Sequence, residues 1–124
     1  MQSSYKKDNL ILELTFRFSL KVIEYAELLE EKKKFIIANQ LLRCGTSIGA
    51  NVREAQNAES KKDFIHKFKI AAKEADELEY WLDLCAESKN YPSNEELKSD
   101  LIIIIKIINK IISKSKIDIA AIEH

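Results

Sequence analysis

The sequence predicts an all-α chain folded as an up-and-down antiparallel four-helix bundle, on three observations. Glycine and proline are almost absent, two and one in 124 residues, which leaves few places to turn a sheet. Apolar residues recur at helical spacing in four successive segments. Short polar breaks or capping signatures separate those segments, near residues 31–33, 57–60 and 90–94. The chain is long enough for one domain with a real core, and 46% of it is hydrophobic.

The first helix is expected near residues 9–30, capped by Asp8 or Asn9. Ile11, Leu14, Phe18, Val22, Tyr25 and Leu29 form its core stripe, and Leu12, Phe16, Leu20 and Ile23 form a second one. Together they make an apolar arc of roughly 200°, wider than a helix on the outside of a lone bundle needs. The excess implies burial against another subunit. Glu30 to Lys34 must hold a turn despite lacking Gly and Pro. Otherwise one helix would run about 75 Å, too long for an ordinary domain.

The second helix, near residues 33–57, is the centre of the chain. Ile37, Leu41, Cys44, Ile48, Val52 and Ala55 form its apolar stripe. Beside them run Gln40, Arg43, Ser47, Asn51 and Glu54, a polar ladder in steps of three and four. On the other flank Ala38, Gly45 and Gly49 carry almost no side chain. A helical Gly costs roughly 1 kcal/mol relative to Ala, so two of them one turn apart imply a second backbone packed very close.

The third helix, near residues 61–89, opens on Ser60-Lys61-Lys62-Asp63, a capping box with Asp in place of Glu. Phe64, Phe68, Ala71, Ala75, Leu78, Leu82 and Cys85 supply its heptads, and Asn90 and Pro92 end it. Ser93-Asn94-Glu95-Glu96 is a full capping box for the fourth helix, near residues 94–115. Its Ile-rich run is helical rather than extended because Lys106, Lys110 and Lys114 recur every fourth residue. Residues 1–8 and 117–124 are expected to fray.

Several function classes find no support. Residues 1–8 are polar, so no secretory leader is expected, and the apolar run at residues 101–112 is too short to span a bilayer. Cys44 and Cys85 fall on apolar stripes and read as reduced, buried thiols, which points to the cytoplasm. Asp63 and His66 are spaced for a metal, but a bundle metal centre needs further His and inward carboxylates. Gly45-Thr46-Ser47-Ile48-Gly49 sits mid-helix, where its N–H groups are already bonded, so it is no phosphate loop. No Ser has a plausible His and Asp partner. We therefore expect no catalytic residues, metal, cofactor or small-molecule substrate. The ladder reads first as a structural network whose partners lie on another helix or subunit, with a ligand site or a solvated face as alternatives. Trp81 reads as packing into a groove, with base stacking as the alternative.

The residues Gln40-Leu41, Arg43, Ser47-Ile48, Asn51 and Glu54, then Ser60, Phe64, Ala71-Ala72 and Glu77-Leu78-Glu79, resemble the 23S ribosomal RNA intervening-sequence protein family. One departure is an Ala at position 55, where many members carry Gly. The resemblance implies a four-helix bundle that closes into a homopentamer, and a related branch serves retroelements as an RNA-binding accessory.

Net charge is zero, with 20 basic and 20 acidic residues, yet the charges are not mixed evenly. The third helix opens on lysines and closes on carboxylates, opposite to what its macrodipole favours. A bundle topology gathers Lys6, Lys7, Lys61, Lys62, Lys67, Lys110, Lys114 and Lys116 at one end. Asp83, Glu87, Glu95, Glu96 and Asp100 gather at the other. The expectation is a non-enzymatic oligomeric scaffold or adaptor, with Lys61, Lys62, Lys67, Lys110 and Lys114 as the candidate RNA contacts. The alternative is a protein-binding module partnering a polymerase or toxin-like protein.

Overall fold

The structure, a computed structural model, describes residues 9–123. It contains α1 (Leu10–Glu31), α2 (Phe35–Ala55), α3 (Lys61–Glu87) and α4 (Glu95–Glu123). Contacts run α1 to α2, α2 to α3, α3 to α4 and α4 back to α1, so the helices close a square. The four-helix bundle follows from the four apolar stripes, each of which needs a partner to leave water.

Local chemistry explains the boundaries. α1 starts after Asn9, whose carbonyl accepts from Leu12 and Glu13, but the Asn9 side chain makes no cap bond. Asp8 lies outside the described residues. The α1–α2 turn is a Schellman-type ending: Lys34 N–H donates to Leu29 and Lys33 N–H to Glu30. Lys33 takes the left-handed position usually given to Gly, at φ 64°. The chain tolerates that strain because Leu29 and Ala38 are both buried, on opposite sides of the turn. α2 leaves through bonds from Gln56, Asn57 and Ala58 to the carbonyls three residues back. No residue there has positive φ, so the exit from α2 needs no Gly at position 55.

Ser60 caps α3 by accepting from the Asp63 N–H at 3.0 Å. The reciprocal half of the box is shifted, since the Asp63 carboxylate accepts from Glu59 N–H rather than from Ser60. The first turn also differs from the heptad reading: Ile65 is buried and Phe64 only half-buried. Asn90 adopts φ 65°, as its place before Pro92 predicts. Ser93-Asn94-Glu95-Glu96 does not begin a helix at residue 94; α4 opens at Glu95. Asn94 is buried, with its amide donating to the Leu82 carbonyl at 2.9 Å and its own carbonyl accepting from Lys98. That side chain is spent on tying α4 to α3. Tyr25 holds the same loop by donating to the Pro92 carbonyl at 2.7 Å.

The expected end of α4 near 115 is corrected. The helix continues to Glu123, two turns further. No Gly or Pro follows Pro92 to stop it, Ser115 is buried, and Lys61 of α3 lies 4.0 Å from Asp118. Leu41, Cys44, Ile48, Val52 and Ala55 are buried as the α2 stripe requires, with Ile37 half-buried against them. They meet Phe18, Val22, Phe68, Leu78, Leu101 and Ile108 from the other helices in one core.

Gly45 and Gly49 face α1. A Cβ on Gly45 would lie 2.6 Å from Val22 Cγ1, and one on Gly49 3.2 Å from the Thr15 carbonyl oxygen. Val22 is fully buried and β-branched, so its methyl cannot turn aside cheaply. Gly45→Ala should therefore cost about 1–3 kcal/mol through overpacking, more than the roughly 1 kcal/mol that Ala gains in propensity. Gly49→Ala should cost less, because a few tenths of an ångström relieve it. Thermal denaturation checks the order. A rise in melting temperature for Gly45→Ala would contradict the close crossing.

Candidate functional site

The polar ladder of α2 finds its partners on α3 of the same chain. Arg43 Nη1 donates to Glu74 at 3.3 Å, and Nη2 donates to Glu77. Glu77 accepts a second bond from the Trp81 indole N–H at 3.0 Å. One turn from the other end, Lys67 Nζ donates to Glu54 at 2.9 Å. Between them Asn51 donates to the carbonyl and hydroxyl of Ser47, at 2.9 and 3.1 Å. Gln40 is half-buried at the head of the row. The row thus forms an intrachain seam rather than a pocket. Trp81 lies half-buried with its N–H committed and Tyr80 edge-on at 5.7 Å, which fits packing better than a free stacking platform.

Two other seams carry the same kind of pairing. Lys21 of α1 reaches Glu96 at 2.8 Å and Asp100 at 2.7 Å on α4. Lys98 of α4 sits against Asp83, and 3.8 Å from Glu79, on α3. The acidic end read from the sequence is therefore partly neutralised, because Asp83, Glu96 and Asp100 each hold a lysine. Glu87 and Glu95 are exposed.

The lysines nominated for an anionic partner separate. Lys67 is held by Glu54. Lys61 lies near Asp118 and over the Phe64 ring at 5.3 Å. Lys114 lines a recess together with Lys61, Asp118, Asn9 and Ile11, and Lys110, one turn earlier, shares its helix face. Lys62 instead lines a cleft between α3 and α4 with His66, Lys69, Lys116 and Ile65. Lys6 and Lys7 lie outside the described residues. Sequence reasoning weighed His66 only for a metal, with Asp63, and did not nominate Lys69. The signal was there, since positions 62, 66 and 69 share one helix face.

Cys44 and Cys85 are free and buried. Burial pushes the Cys44 thiol up to about 12 and raises Cys85 as well, so neither is poised to react. No group of His, Cys, Asp or Glu among the described residues is placed to hold a metal, and none of the described helices is long and apolar enough to cross a membrane.

Glu77 carries a testable pH signature. The Trp81 N–H first, and then Arg43, hold its carboxyl below the usual glutamate range. A depressed folded pKa stabilises the protein above the unfolded value, and that contribution disappears as pH falls through the folded one. Stability should therefore drop on acidification below about pH 4. Glu77→Gln should flatten that part of the curve and cost up to about 1 kcal/mol at neutral pH, because the pair is partly exposed. Urea melts across the acid range check it; an unchanged acid limb in the variant would contradict the assignment.

Residues 7–113 match the family described as 23S rRNA-intervening sequence protein. No curated protein matches. Among solved structures, the chain is similar to a protein of unknown function from the S23 ribosomal protein family of Bacteroides thetaiotaomicron VPI-5482. The two are 40% identical with a TM-score of 0.78, over 83% of this chain and 98% of that one. The match spans the square of helices and both flanks of the polar ladder, and it shows that this chain belongs to the 23S rRNA-intervening sequence protein family.

Proposed function

We propose that the protein is a non-enzymatic, cytoplasmic scaffold that self-associates, as a pentamer, and carries RNA on its basic side. The observation that carries the reading is the outer face of α1. Phe16 is 58% exposed, Leu20 49% and Ile23 38%, in one row beside the buried stripe of the same helix. Large apolar side chains standing together on a surface mark an interaction site rather than ordinary scatter. A second copy of the same chain is the natural occupant, and closed rings arise when a head-to-tail contact repeats by a fixed rotation. The buried thiols suit a reducing compartment. Lys69 of α3 and Lys116 of α4, which line a cleft without a carboxylate in its lining, supply the electrostatics for RNA.

Light scattering at micromolar concentration should give a mass several times that of one chain. Leu20→Glu with Ile23→Glu should dissociate it to monomer with helix content unchanged. A wild-type monomer would contradict the scaffold reading. RNA binding should weaken steeply between low and near-physiological salt, since each neutralised phosphate releases counterions. Salt-insensitive binding would remove the RNA reading. A protein partner retained after nuclease treatment would favour a protein-binding module for polymerase- or toxin-like proteins instead.

A further inference from the structure

The seam between α3 and α4 changes character along its length. Next to the α3–α4 loop it is balanced, with Lys98 set between Glu79 and Asp83. Towards the other end it opens into a cleft of about 300 Å³ lined by Lys62, His66 and Lys69 of α3 and Lys116 of α4. Ile65, buried to 7% exposure, completes the lining. No carboxylate lines this cleft among the described residues. Elsewhere the cations that bridge helices have an acid opposite them: Lys21, Arg43, Lys67 and Lys98 all do. Here Lys69 and Lys116 approach from two helices with no carboxylate in the lining, and the stability of the bundle does not explain their meeting, since like charges repel.

We propose that this α3–α4 cleft is a seat for a phosphate group, with Lys69 and Lys116 as its ammonium donors and His66 at its rim. Each ammonium offers three N–H donors around a compact charge, the usual way lysine holds phosphate. Convergence from two walls lets one anion be contacted from both sides, which scattered surface lysines cannot do. In the working protein the phosphate belongs to an RNA strand, and this last step rests on the RNA reading proposed above. The seat moves the contact away from Lys61 and Lys67, which face carboxylates, and from the Lys110–Lys114 face of α4.

The test has two arms. Inorganic pyrophosphate is titrated into the assembled protein and followed at the imidazole C–H resonances of His66 and the methyl resonances of Ile65. The chain has only one other histidine, His124, which simplifies the assignment. Both signals should shift and saturate in the wild type and in Lys110→Ala/Lys114→Ala. They should stay still in Lys69→Ala/Lys116→Ala, with helix content intact. Wild-type resonances that do not move, or that move equally in all three proteins, overturn the seat. In the second arm, binding of a short single-stranded RNA is measured against salt. Lys69→Ala/Lys116→Ala should weaken it about tenfold or more and lower the slope of log affinity against log salt by about one to two. A seat that responds to pyrophosphate while RNA binding ignores the pair upholds the phosphate site and assigns it to a free phosphate compound. RNA binding that depends on Lys110 and Lys114 instead, with no pyrophosphate response at His66 and Ile65, overturns the cleft and leaves the RNA reading standing.

Discussion

The bundle depends on how closely α2 lies against α1. Gly45 lies against the Val22 methyls and Gly49 against the Thr15 carbonyl, leaving no room for a side chain at the first and little at the second. Thr15 and Ser19 sustain the approach on the α1 side. Their hydroxyls fold back onto carbonyls of their own helix, Thr15 to Ile11 at 2.8 Å and Ser19 to Thr15 at 2.9 Å, so no polar group is stranded at the crossing. The adjacent row of Phe16, Leu20 and Ile23 stands on the outside. The close crossing and the exposed apolar face thus occupy neighbouring rows of one helix.

On the side of α2 that faces α3, the rim contacts are charged. Arg43 with Glu74 and Glu77, and Lys67 with Glu54, cross the edge of that seam. Such partly exposed pairs add little stability each. Their larger effect is on register, because a one-turn slip of α3 against α2 would put Arg43 opposite the wrong residues. The same seams use up most of the interhelical carboxylates. At Lys69 and Lys116, in the α3–α4 cleft, an outside anion would meet the least competition.

Much of this was readable from residue order. The two glycines in a strong helix former demanded a close neighbour, and the second apolar stripe of α1 demanded somewhere to go. Other features needed three dimensions. Nothing in EEKKK marks Lys33 as the left-handed residue; the turn is imposed by burial of Leu29 and Ala38 on either side. Asn94 looked like part of a cap, but the Leu82 carbonyl across the seam claimed its amide. α4 outran its expected end because an unbroken helical sequence keeps propagating where no breaker intervenes. The ladder was visible as a row, yet which acid faced Arg43 depended on the relative height of α2 and α3. Lysine counting likewise placed Lys61 and Lys67 at a basic end without seeing the carboxylates opposite them.

The central claim is that one face of this bundle is covered by its own copies while the α3–α4 cleft stays open. Covalent footprinting of the assembled protein, read by mass spectrometry, tests both halves at once. Hydroxyl radicals should modify Phe16 far less in the assembled wild type than in the Leu20→Glu/Ile23→Glu monomer. Lysine acylation should reach Lys69 and Lys116 equally in both. Phe16 labelled to the same extent in the two proteins, or Lys69 and Lys116 shielded only in the assembly, would contradict the account.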